Sequence, residues 1–160
     1  MNTMHRQYDH AAYLDALQSD SCQPCSVAVE TTYAGLRIFK YDGSPATDLT
    51  ARLGIQPTKS HDAGDLISPG SPNRRPHSLW SLSTKDAVSG SLQEHLTWLL
   101  DRVEPIEHVL HALSEEGCEL DWFCFVSLDE SGQGGVSFDL ELLRRLAALP
   151  IHLELDLYGS

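Results

Sequence analysis

The densest group of ionisable side chains that could act together lies between residues 56 and 77. Lys59, His61, Asp62, Asp65, Arg74, Arg75 and His77 fall in this one segment, and Trp80 follows it. A histidine beside carboxylates can move protons near neutral pH. Two arginines can grip a carboxylate or phosphate with paired N–H groups. Pro57, Pro69, Pro72 and Pro76, with Gly64 and Gly70, make the segment read as a long loop, and loops of that length commonly carry function. The plainer alternative is a proline-stiffened surface loop with Asp/Gly turns.

Two other groupings have the residue types of a site but not its context. Cys22-Gln-Pro-Cys25 has the spacing used for zinc and for thiol redox. It follows a predicted helix and precedes a strand, the reverse of the setting in which a helix dipole activates a thiol. Cys118 and Cys124 do not supply a second closely spaced pair for zinc. Glu104, Glu107, His108, His111 and Glu115 lie on one helix, where His108 and His111 could hold a metal with a carboxylate. They point away from the stripe of Ile106, Val109, Leu110 and Leu113, which is the ordinary solvated side of an amphipathic helix. No nucleophile elbow, phosphate-binding loop, dinucleotide glycine pattern or metalloprotease HExxH order is present, and Gly132, Gly134 and Gly135 make an isolated turn. We expect no catalytic residue, no metal and no cofactor.

A third grouping depends on strand pairing. Arg37, Phe39, Phe123, Phe125, His152, Glu154, Asp156 and Tyr158 would share one sheet face. Aromatics mixed with charges on an open face suggest a protein contact or a subunit interface. The alternative is that another element, such as an N-terminal helix, covers them. The partner-binding candidates are thus Glu104, Glu107, His108 and Glu115 on the helix, with Phe123, Phe125, Glu154, Asp156 and Tyr158 on the sheet.

The elements that must position these residues follow from periodicity. Asp9 to Gln18 predicts a short helix with Tyr13, Leu14 and Leu17 on one side, and residues 19–26 a linker. Val27 to Phe39 turns β-like, with Leu36 and Ile38 on one face and Arg37 and Phe39 on the other. Ser44-Pro45 reads as an N-cap with proline at the first helical position, Leu49 and Leu53 as one face, and Gly54 as the stop. Leu79 to Leu82 is a short strand. Ser91 and Glu94 form a capping box, after which Leu92, Leu96, Leu99, Leu100 and Val103 repeat at helical spacing. Pro105 kinks that helix, and Gly117 ends it. Leu120, Trp122, Cys124, Val126 and Leu128 alternate along a strand. Asp139 caps a helix with Leu140, Leu143, Leu146 and Ala147 inside, closed by Pro150. Ile151, Leu153, Leu155 and Leu157 alternate with His152, Glu154, Asp156 and Tyr158, giving one dry and one wet face. The expected fold is α+β: a two-layer sandwich of a mainly antiparallel sheet with helices on one face. Two β-α-β units, read as a distant duplication, are joined by the long kinked helix. Residues 1–30 form an arm and linker, and residues 31–160 a single domain.

The chain of 160 residues carries a formal charge of −12, unevenly spread. Residues 1–90 hold nine acids against eight Lys/Arg; residues 91–160 hold fourteen against three, a net of −11. Such a surface argues against a partner held by its phosphates and against an anionic membrane. The start is polar and the longest apolar run is Trp122 to Val126, so we expect a cytoplasmic protein with reduced thiols.

From Tyr33 onward the chain resembles a bacterial domain of unknown function family, numbered 4279. The stretches that carry the likeness are Tyr33-Ala-Gly-Leu-Arg-Ile-Phe39, Leu53-Gly-Ile-Gln-Pro-Thr-Lys-Ser-His-Asp-Ala-Gly-Asp65, Trp80-Ser-Leu-Ser83, Leu92-Gln-Glu-His-Leu96 and Leu155-Asp-Leu-Tyr158. The resemblance implies a compact domain and no established activity, and it suggests a link to toxin-immunity loci. The leading expectation is a non-enzymatic acidic interaction protein, concretely an immunity-type antidote to a cationic protein. The alternatives are a small-ligand binder or enzyme built on the 56–77 loop, and a homo-oligomeric structural module.

Overall fold

A computed structural model describes residues 29–128 and 135–158. The helix expected at Asp9–Gln18, the Cys22/Cys25 pair and most of the Ser131–Gly135 turn lie outside the described residues. The elements are β1 (Val29–Lys40), α1 (Ala46–Leu53), β2 (Lys59–His61), β3 (Ser78–Ser83), α2 (Leu92–Val103), a 3-10 turn (Glu104–Ile106), α3 (Glu107–Glu115), β4 (Glu119–Leu128), α4 (Leu140–Ala147) and β5 (His152–Tyr158). The sheet order is β2-β3-β1-β4-β5. Only β4 and β5 pair in parallel; the other neighbours are antiparallel. The fold is the expected α+β architecture.

The core lies between the sheet and the helices. Leu36 and Ile38 of β1, Trp80 of β3 and Trp122 and Cys124 of β4 are wholly buried against Leu96, Leu99 and Leu100 of α2 and Leu110 and Leu113 of α3. The capping box forms as expected: Ser91 Oγ accepts from the Glu94 N–H, and Glu94 accepts from the Ser91 N–H at 2.7 Å. Pro105 breaks the α-helical ladder into the 3-10 turn, and the axis resumes as α3. Gly54 stops α1 in the left-handed conformation (φ 66°) that glycine adopts without steric cost. Gly35 lets β1 and β3 approach closely, since a Cβ there would stand 3.1 Å from the Leu82 carbonyl oxygen.

Four expectations need correction. Pro45, not Ser44, occupies the N-cap of α1; the first helical N–H, from Ala46, is accepted by Asp62 Oδ1 at 2.7 Å. The two β-α-β units are not alike, because β1 and β3 run antiparallel while β4 and β5 run parallel. Inside α4 the buried residues are Leu142 and Leu146, with Leu149 just beyond; Leu140 and Leu143 are exposed. The helix carries two leucine stripes, and polar bonds to its neighbour set its rotation: Asp139 is bonded to Gln93 in both directions, and Arg145 pairs with Asp101 and Glu104. Finally, the expected dry face of β5 is not dry: Leu153, Leu155 and Leu157 are 43%, 42% and 59% exposed.

One buried polar knot holds α2 to the sheet. Thr84 Oγ1 accepts from the Ala34 N–H (2.9 Å) and donates to the Ala34 carbonyl (2.8 Å). The hydroxyl proton is thereby used, so His95 Nδ1, 2.6 Å away, carries the hydrogen and donates to Oγ1. Burial pushes the His95 pKa down, against smaller opposing effects of Glu94 and a backbone bond at Gly90. The unfolded chain then binds the proton more readily than the folded one, so stability is present above the ordinary histidine value of about 6.5 and is lost as pH falls through it. His61 is lowered in the same direction, first by burial. We expect the denaturation midpoint to fall from about pH 7 to about pH 5, with His95→Gln flattening part of that slope. An unchanged slope in the variant would show that His95 is not a source of it.

Candidate functional site

The 56–77 segment is folded, and its charged groups hold it. Lys59, Ser60 and His61 add a short edge strand beside β3. Beyond it the chain doubles back: the Gly64 N–H bonds the Arg75 carbonyl, the Arg75 N–H the Asp65 carbonyl (both 2.8 Å), and Leu66 bridges Arg74. Asp65 Oδ2 accepts from the Asp62 N–H, Arg74 donates to the Gly64 carbonyl at 2.7 Å, and Arg75 donates to the Ile67 carbonyl at 3.3 Å. Asp62, Asp65, Arg74 and Arg75 are thus spent on backbone groups of the loop and of α1. Trp80 is wholly buried in the core, so it does not line this loop. His61 stands 5.9 Å from His77, ring to ring, and neither of its ring nitrogens has a hydrogen-bond partner among the described residues. Burial first, then Arg75, His77 and Lys59, push its pKa down against the pull of Asp65, which keeps it neutral at pH 7.

The sheet face opposite the helices brings the third grouping together. Cross-strand register sets Arg37 opposite Asp121, Gly35 opposite Phe123 and Tyr33 opposite Phe125. It also sets Asp121, Phe123, Phe125 and Ser127 opposite His152, Glu154, Asp156 and Tyr158. Aromatic rings run diagonally across: Tyr158 lies 5.1 Å from Phe125, and Phe125 stacks on Tyr33 at 5.0 Å. Arg37 lies over Phe123 (4.3 Å) and Phe39 (5.4 Å), and Phe39 meets His77 edge-on at 5.1 Å. Tyr33 and His77 extend this row beyond the residues the alternation pointed to; β1 periodicity alone could have placed Tyr33 there.

At the centre of this face Arg37 joins three strands. Its Nε and Nη2 donate to the two Asp121 oxygens, both at 2.7 Å, and Nη2 also donates to Glu154 Oε2 at 2.6 Å. Burial opposes its charge, and the two carboxylates outweigh that effect.

The helix candidates divide. Glu107, His108, His111 and Glu115 are exposed on α3. Glu104 instead receives two bonds from Arg145, at 2.7 and 2.8 Å, so it fastens α4 to the kink. Among the described residues no group of three or more His, Cys, Asp or Glu is arranged to hold a metal ion. A cleft of about 230 Å³, which sequence reasoning missed, is lined by Lys40, Tyr41, Asp42, Glu116, Gly117 and Cys118. Burial pushes the Cys118 thiol up, and pushes the Cys124 thiol up to about 12, so neither offers a thiolate at neutral pH.

The family model for a domain of unknown function, DUF4279, matches residues 30–160. The chain belongs to the DUF4279 family. The match takes in all of this DUF4279 sheet and helix layer except Val29, the first residue of β1, while the Cys22/Cys25 pair precedes it. Comparison with curated proteins and comparison with solved structures each return no match. No helix among the described residues is long and apolar enough to cross a membrane.

Proposed function

We propose that this DUF4279 chain is a non-enzymatic interaction domain of the cytoplasm that holds a cationic protein partner through its C-terminal half, as an immunity-type antidote would. The observation that carries the reading is how the few cations of that half are used. Of its three arginines, Arg145 is bound to Asp101 and Glu104, Arg102 lies on the Trp98 ring at 3.3 Å and bonds the Trp98 carbonyl, and Arg144 is exposed on α4. Glu107 and Glu115 of α3 are exposed and enter no ion pair among the described residues, so they present their charge outward, where it speeds encounter with a basic surface and selects for one. The 56–77 loop supports a ligand site less well, since Asp65, Arg74 and Arg75 serve its own backbone and Asp62 serves the start of α1.

The test is affinity capture of the partner, followed by association kinetics with Glu107→Lys and Glu115→Lys combined. Glu104 is left intact because it clamps α4. We expect a basic partner whose association slows at least tenfold in the double variant and weakens with added salt. Recovery of no basic partner, or rates insensitive to both changes, would refute the reading.

A further inference from the structure

The two edges of the sheet are built differently. The β2 edge has three residues, carries Lys59 and follows Pro57, which are devices that discourage pairing with another chain. The β5 edge has seven residues with no proline, no lysine or arginine, and an unbroken register from Asp121–His152 to Ser127–Tyr158. Among the described residues β4 is its sole strand neighbour. Its outer row of backbone N–H and C=O groups is the template that strand addition uses.

The two faces of β5 specify what would fit there. Leu153, Leu155 and Leu157 lie on the helix side, in register with Trp122, Cys124 and Val126. Those three β4 residues are at most 1% exposed, whereas the three leucines are at least 42% exposed, so the helix layer stops one strand short. Leu140 and Leu143 of α4, in the same crossover, are exposed as well. The other face of β5 carries Glu154 and Asp156.

We propose that β5 receives, as a sixth strand, an extended segment of a partner protein in which aliphatic residues alternate with lysine or arginine. Such a segment would cover the leucines on one face and meet the carboxylates on the other, since directly opposed residues share a side. A second copy of the chain fits worse. A two-fold antiparallel pairing centred on Glu154, Leu155 or Asp156 sets carboxylate against carboxylate in each case, which is destabilising. The inference rests on the cationic-partner reading and names where and how that partner would bind.

The test uses the full chain and a labelled nine-residue peptide alternating valine and lysine, followed by fluorescence anisotropy. We expect binding, accompanied by new hydrogen-exchange protection of β5 amides. N-methylation of alternate peptide residues in one phase should weaken binding at least tenfold, because it removes the donors facing β5, and methylation in the other phase should not. Leu153→Asn with Leu155→Asn should weaken it similarly. Equal affinity of both methylated peptides would overturn strand addition while leaving a charge-held partner standing. β5 edge amides already protected in the free chain would also overturn it, assigning the edge to residues 1–28 if the chain is a monomer and to a second copy if it is a dimer. If the peptide fails to bind but a basic partner is captured, this inference alone falls. If neither binds, the reading beneath it falls too.

Discussion

Arg37→Met is expected to lower unfolding stability by about 3 kcal/mol, because it strands a carboxylate in a place prepared for an ion pair. The Asp121 side chain is 10% exposed and takes both of its bonds from one guanidinium. Removing the guanidinium leaves a desolvated charge without compensation, which costs more than the pair contributes when intact. Glu154 is 54% exposed, so water replaces its share at little cost. Urea denaturation measures the loss. Combining Arg37→Met with Asp121→Leu should recover much of it, since an apolar pair of similar volume needs no compensation. A single variant as stable as the parent would mean that Asp121 is reached by solvent.

Thr84→Val should cost about 2–4 kcal/mol with almost no change in shape. The methyl group fills the space of the hydroxyl but cannot accept. The Ala34 N–H and the His95 Nδ1–H, both buried, would lose their partner. Each stranded donor costs about 1–3 kcal/mol. Adding His95→Leu removes one of the stranded donors, so the double variant should lose less than the sum of the singles by at least about 1 kcal/mol in a thermodynamic cycle. Additive losses would show that the two side chains do not share a bond.

The fold was legible wherever local pattern and tertiary need coincide. Alternation in β1 and β4, the Ser91 capping box, the Pro105 break and the Gly54 stop are each set within a few residues of chain. The misreadings share one physical cause: the deciding partner lay far away. Asp62 reaches Ala46 from sixteen positions off. The rotation of α4 depends on bonds to Gln93, Asp101 and Glu104, which no helical wheel contains. The exposed leucines of β5 escaped for a related reason. Alternation says that a strand has two different faces, but not whether the helix layer extends far enough to cover the apolar one. Of the candidate site, the shared sheet face could be anticipated from alternation plus pairing. In the loop the clustering of ionisable groups was legible, but the backbone bonds of Asp62, Asp65, Arg74 and Arg75 were not, because they depend on how the segment doubles back.

The central strand of the sheet also governs how the chain can reach this structure. β1 is made early, yet one of its two neighbours, β4, arrives late: Arg37 and Asp121 are 84 positions apart. During synthesis β1 can meet β3, while its other edge and the aromatic row beside it wait for most of the chain to emerge. Closing a span of that length carries a loop entropy that local contacts do not repay in advance, so pairing of β1 with β4 is the natural late and slow event. Until then β1 has an open edge of its own in the middle of the future sheet, and this interval, rather than the finished state, is when the chain is most exposed to mispairing.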